Sequence, residues 1–78
     1  MPRLRLFGPA ATAAGTRSSQ IAGTSVEEVL AAASAEYGRA FAEQLQVCRV
    51  WVNGEPPRAG ARLGDTDEVA VLPPVSGG

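Results

Sequence analysis

Polar and apolar side chains alternate at the start of the chain. In Arg3-Leu4-Arg5-Leu6-Phe7 they change places at every step as far as Leu6, the two-residue period of a strand with one buried face. Gly8-Pro9 ends that pattern, and the small residues from Ala10 to Gly15 predict a loop with at most a helical turn. Thr16 to Ile21 lies between two turn signals and predicts a polar return strand. The period then lengthens. Thr24-Ser25-Val26-Glu27 fits a capping box with Thr24 as N-cap and Glu27 three residues on. Val26, Val29, Leu30, Ala33 and Tyr37 follow at helical spacing, and Gly38 supplies a stop, so a helix is expected over 24–37. Phe41 and Leu45, four apart, add a short second helical segment.

The second half returns to strands. Val47-Cys48-Arg49-Val50-Trp51-Val52 is rich in β-branched residues and runs into Asn53-Gly54, a dipeptide suited to a type I′ hairpin turn. Pro56 and Pro57 confine any return strand to a short edge piece. Leu63 is the lone apolar anchor of the following loop, which ends at Gly64-Asp65; Glu68-Val69-Ala70-Val71-Leu72 is then a last strand, stopped by Pro73-Pro74. The order ββαββ is solved by one main helix across one face of a mixed sheet of four or five strands, an α+β layer arrangement. The first and last strands both look central. Pairing them in parallel gives a β-grasp, the ubiquitin architecture, over residues 1–72, with 73–78 as an extended tail.

Strand alternation divides the side chains between two faces. Leu4, Leu6, Cys48, Val50, Val52, Val69 and Val71 turn toward the helix. Arg3, Arg5, Phe7, Arg49, Trp51, Glu68, Ala70 and Leu72 turn away. That outer set mixes aromatic residues with arginine, the types enriched where proteins dock. Phe7, Arg49, Trp51 and Leu72 are therefore the candidate partner interface. The plainer alternative is that Arg49 stacks over Trp51 and the remaining apolar groups are ordinary surface.

Composition removes most catalytic chemistry. With 78 residues the chain is one domain with one thin core. Its 45% hydrophobic and 19% charged content is that of a folded domain. A net charge of -1 favours neither nucleic acid nor an anionic membrane as partner. No apolar run suits a bilayer span and no signal-peptide pattern opens the sequence, so a cytoplasmic location is expected. There is no His, and all seven basic residues are Arg. That leaves no imidazole base, no Schiff-base amine, and no side chain able to accept an isopeptide bond. Cys48 is the single cysteine, which excludes an internal disulfide; facing inward with no His or Lys to activate it, it is expected to be a buried, inert thiol. No metal site and no bound cofactor are expected.

What remains is the carboxyl end. In Pro73-Pro74-Val75-Ser76-Gly77-Gly78 two prolines hold the chain extended, and two glycines without Cβ atoms could thread a narrow channel. The six residues after Leu72 can reach ~20 Å at about 3.3 Å each. A terminal carboxylate is anionic and a poor electrophile until ATP converts it to an acyl-adenylate. A Gly-Gly end alone is as well explained by a frayed terminus. On a β-grasp pattern, after Pro-Pro-Val-Ser, it is far more specific.

The chain resembles the small subunits of molybdopterin synthase, within the wider group of ubiquitin-like sulfur carriers. The likeness rests on Leu4-Arg5-Leu6-Phe7-Gly8-Pro9, the helix opening from Thr24 to Leu30, Val50-Trp51-Val52-Asn53-Gly54, Asp67-Glu68-Val69-Ala70, and Leu72 to Gly78. The double proline separates it from the thiamin-pathway carriers, which usually lack one. Ala10 to Ala14 departs from the pattern, since relatives commonly carry an Arg and a Glu there. The resemblance implies that a ubiquitin-activating-like adenylyltransferase uses ATP to adenylate Gly78. A sulfur donor protein then supplies a persulfide sulfur to make the thiocarboxylate. The large synthase subunit takes the tail into its active site, where sulfur passes to a pterin precursor. The chain itself would be no enzyme. Two alternatives remain open: the same carrier chemistry with cysteine, thiamin thiazole or a thio-metabolite as recipient, and a non-covalent interaction module.

Overall fold

The computed structural model describes residues 1–74. Seven elements follow in order: β1 (Arg3–Leu6), α1 (Gly8–Ala14), β2 (Ser18–Gln20), α2 (Val26–Tyr37), α3 (Arg39–Leu45), β3 (Arg49–Val52) and β4 (Glu68–Leu72). The four strands form one sheet in the order β2-β1-β4-β3. β1 runs parallel to β4, pairing Arg3 with Glu68 and Leu6 with Val71. β1 is antiparallel to β2, and β3 to β4. This is the expected β-grasp, with four strands and with β1 and β4 at its centre.

The core lies between the sheet and the helices. Leu4, Leu6, Val69 and Val71 are buried from the sheet side, and Ala10, Val26, Val29, Ala33 and Phe41 from the helix side. Phe41 meets Tyr37 edge to face, with centroids 5.2 Å apart, and the Tyr37 hydroxyl hydrogen-bonds Ser19 on β2. The second helical segment expected around Phe41 and Leu45 is α3.

Several boundaries differ from the sequence expectation. The helix begins one residue later than the capping box predicts: Ser25, not Thr24, is the N-cap, and its hydroxyl accepts from the Glu28 N–H at 3.1 Å. Glu28 in turn accepts from the Thr24 N–H at 2.7 Å and from its hydroxyl at 2.9 Å. Thr24 and Glu27 are a threonine and an acid three apart, but so are Ser25 and Glu28, and the apolar register of Val26 and Val29 selects the latter.

The expected loop at Ala10 to Gly15 is instead part of α1. Pro9 sits in its first turn, where a missing N–H costs nothing. Gly15 closes it in the left-handed conformation, φ 77°, donating its N–H to the Ala11 carbonyl at 2.9 Å. The described residues are therefore βαβααββ, with three helices where a main helix and a short second segment were expected.

The predicted strand at 16–21 is confined to Ser18–Gln20, and the one at 47–52 starts only at Arg49. Val47 and Cys48 instead turn off the end of α3, their N–H groups donating to the Gln44 carbonyl, and Val47 is exposed. The Asn53-Gly54 turn forms as expected, with positive φ at both residues. Its return strand shrinks to one bridge, Val52 to Glu55.

Candidate functional site

Paired strands place opposed residues on one face, so the register defines the outer surface of the sheet. β4 lies between β1 and β3, and three rows cross it. Arg3, Glu68 and Asn53 occupy one end; Arg5, Ala70 and Trp51 the middle; Phe7, Leu72 and Arg49 the other end. The ladder carries on past β1, with the Phe7 N–H donating to the Val71 carbonyl at 3.1 Å. Phe7 is 37% exposed, Trp51 and Leu72 are half-buried, and Arg49 is exposed. All four candidate interface residues thus share one face, three of them in or beside the row where β4 ends.

The guanidinium that covers an aromatic ring here is Arg5, 5.5 Å from the centroid of Phe7, and not Arg49 over Trp51. Arg5 and Phe7 are two apart, as Arg49 and Trp51 are, so side-chain rotamers and not spacing decide which pair meets. Arg5 also approaches Glu68 at 4.0 Å, a contact too long and exposed to matter much.

The chain leaves this surface at the end of the central strand β4. Pro73 and Pro74, which follow Leu72, lie outside regular structure and are exposed. A Cβ placed on Gly8 would lie 3.5 Å from Cγ of Pro73, so the exiting chain passes directly over the β1–α1 junction. Beside that junction a shallow groove of about 340 Å³ is lined by Arg5, Leu6, Phe7, Gly8, Ala11 and Arg17. Val75, Ser76, Gly77 and Gly78, the remainder of the predicted tail, lie outside the described residues.

The alternation and spacing of the sequence do not point to Arg17, Ala11 or the groove, because the small residues from Ala10 to Gly15 predict a loop with at most a helical turn. The signal was present: Pro9 in the first turn and Gly15 after the last bracket five residues, four of them alanine, the best helix former.

Cys48 is half-buried, packed against the core just before β3, and not fully enclosed as expected. Burial pushes its thiol up, which keeps it protonated and unreactive. Among the described residues no group of three or more His, Cys, Asp or Glu could hold a metal, and no helix is long and apolar enough to cross a membrane.

No curated protein sequence matches the chain. Among solved structures it is similar to the small archaeal modifier protein SAMP1 from Haloferax volcanii, 29% identical, with 97% of each chain covered and a TM-score of 0.77. The SAMP1 of Methanosarcina acetivorans is 27% identical, with 97% of this chain and 94% of that one covered and a TM-score of 0.77. A chain in the complex of subunits 1 and 2 of molybdopterin-converting factor from Helicobacter pylori is 27% identical. There the coverage is 97% of this chain and 96% of that one, with a TM-score of 0.70. The ThiS family matches residues 4–78, from the first strand through the final glycine. On that match, and on the β-grasp fold that carries it, the chain belongs to the ThiS family and is a ubiquitin-fold sulfur carrier.

Proposed function

We propose that this carrier is the small subunit of a molybdopterin synthase, and that its Gly78 carboxylate is the working group. An activating enzyme uses ATP to form the Gly78 acyl-adenylate with release of pyrophosphate. A persulfide sulfur attacks the carbonyl carbon, AMP leaves, and reduction of the resulting acyl disulfide by a thiol frees the thiocarboxylate. The large subunit then receives the tail, and sulfur passes to the pterin precursor. The observation that carries the choice of pathway is the similarity, over nearly the whole chain, to a chain in the Helicobacter pylori converting-factor complex. Phe7, Arg49, Trp51 and Leu72 surround the exit of the tail, which suits them to hold the domain against a partner while the tail is threaded. No group of the chain acts on the substrate except that terminus. A cytoplasmic setting, with ATP consumed by the activating enzyme and none held here, completes the reading.

The test supplies the chain with its activating enzyme, ATP and a sulfur donor. Intact-mass spectrometry should show one terminal oxygen replaced by sulfur, and fragmentation should place it on Gly78. Deleting Gly78 should abolish the exchange and molybdopterin formation while leaving thermal stability nearly unchanged, since a terminal residue beyond the last strand contributes little to folding. A deletion variant that still supports molybdopterin formation would overturn the mechanism. Similarity to the two SAMP1 chains favours a second reading, in which the same activated carboxylate is transferred to another protein. Thiocarboxylate formation without molybdopterin, accompanied by amide-linked conjugates, would select it.

A further inference from the structure

All seven basic residues are arginines, and every one is exposed. Among the described residues none sits in the two-pronged carboxylate grip that only a guanidinium can make. Arg39 meets Glu43 through Nε at 3.4 Å, and Arg5 reaches Glu68 at 4.0 Å. Except at Arg5, whose planar group covers Phe7, an ammonium would serve the fold as well. The placement of three of them bears on the chemistry of the terminus. Arg49 is paired across the sheet with Leu72, the last residue of β4. Arg5 lies one row back, and Arg17 lines the groove beside the junction that Pro73 crosses. Six residues separate Leu72 from the terminal carbonyl, a contour of ~20 Å, so all three positions lie within reach of the chain's own end.

We propose that arginine at positions 5, 17 and 49 keeps the carrier from capturing its own activated terminus. This rests on the reading that Gly78 is activated. A lysine at any of these sites would be tethered to the Gly78 acyl-adenylate at an effective concentration near millimolar. Its neutral Nζ would attack the carbonyl carbon, the C–O bond to AMP would break, AMP would leave with the electron pair, and the nitrogen would give its proton to solvent. The product is a lactam that no longer carries an acyl group to sulfurate. A guanidinium stays protonated across the accessible pH range and has no lone pair to offer. Two nucleophiles remain: the Met1 amine, held in an ion pair with Asp65 at 2.7 Å beyond the opposite end of β1, and the Cys48 thiol, partly buried and packed against the core. With no imidazole in the chain, the surface around the tail exit holds nothing that competes with the incoming sulfur.

The test uses the full chain with an aryl thioester at Gly78, made by thiol cleavage of an intein fusion, so that no activating enzyme is involved. The wild-type thioester should decay only by hydrolysis to the linear acid. Arg49→Lys should lose its thioester about ten-fold faster, giving a product one water lighter than its own linear acid. Fragmentation should show an amide between position 49 and Gly78. Arg17→Lys should behave similarly, and Arg39→Lys, in the helix layer across the sheet, should decay at the wild-type rate. Circular dichroism verifies that each variant is folded. Folded Arg49→Lys and Arg17→Lys chains that hydrolyse at the wild-type rate without lactam overturn the proposal, as does a wild type that self-acylates equally fast. Failure of the carrier reading registers separately, as absence of ATP-dependent adenylation of Gly78 by the activating enzyme.

Discussion

The two faces of the sheet are built from the same strands and obey different rules. On the inner face Leu4, Leu6, Val69 and Val71 are enclosed to within 2% of their surface, in one core cluster with residues of the helices. On the outer face the interleaved residues Arg3, Arg5, Phe7, Arg49, Trp51, Ala70 and Leu72 are exposed or half-covered. Burial at about 25 cal/mol per Å² concentrates the folding energy on the first set. The outer apolar groups gain little of it, yet they gather where β4 releases the tail. A sheet that stores stability on one side is free to commit the other to a partner, and mutations should separate the two roles.

The largest effect is expected inside. Leu6→Ala removes a fully enclosed side chain beside Val71 and should cost about 3 kcal/mol, a large part of the stability of so small a domain. Urea titration would measure it. A loss as small as that of an outer-face substitution would dissolve the distinction between the faces. Trp51→Ala is the complementary change. Its loss of stability should be about 1 kcal/mol, while affinity for the large subunit or the activating enzyme should fall by about 2 kcal/mol, close to thirty-fold. Calorimetry on the folded variant would decide; an unchanged dissociation constant would remove Trp51 from the interface.

Most of the fold was legible because one physical signal dominated each element. Two-residue alternation gave β1 and β4, and their need to be central gave the parallel pair. Helical spacing from Val26 to Tyr37 gave α2. Where two signals competed, the sequence misled. Gly8-Pro9 was legible both as the end of β1 and as the opening of α1, and both are true. Thr24 and Ser25 offered two caps one residue apart, a choice made by packing and not by cap chemistry. The division of the faces was readable from alternation alone, but the contact of Arg5 with Phe7 depends on rotamers that no spacing fixes. The stop of β4 was readable from Pro73-Pro74, which follow Leu72 outside regular structure.

The choice of cap gives the next prediction. Ser25→Ala should cost about 1 kcal/mol, because the Glu28 N–H loses its acceptor while the Glu28 carboxylate keeps Thr24. Thr24→Ala removes one of the two donors to that carboxylate and should cost less. Denaturant midpoints of the two variants should fall in that order, and the reverse order would restore Thr24 as the functional cap.

The smallest effect concerns pH and distinguishes the outer face from the turns that border it. The proposed docking residues Phe7, Arg49, Trp51 and Leu72 include no carboxylate, so that surface should contribute almost no pH dependence in the acid range. The turn carboxylates should. Asp67 accepts the Gly64 N–H at 2.7 Å and the Asn53 amide at 3.0 Å, and these bonds, the backbone one first, hold its carboxyl below the usual range. Glu28 is lowered likewise by the Thr24 N–H and hydroxyl. A carboxyl whose pKa is depressed on folding stabilises the native state fully above its unfolded value, about 4. That contribution is lost as pH falls through the folded value. Thermal melts should therefore be flat from neutral pH to about pH 5 and decline below about pH 4. Asp67→Asn should make that decline shallower, because an amide at 67 has no proton to take up in this window. Arg49→Gln should leave the slope as it is. A slope unchanged by Asp67→Asn but altered by Arg49→Gln would mean that the charged face, and not the turn behind it, couples folding to acid.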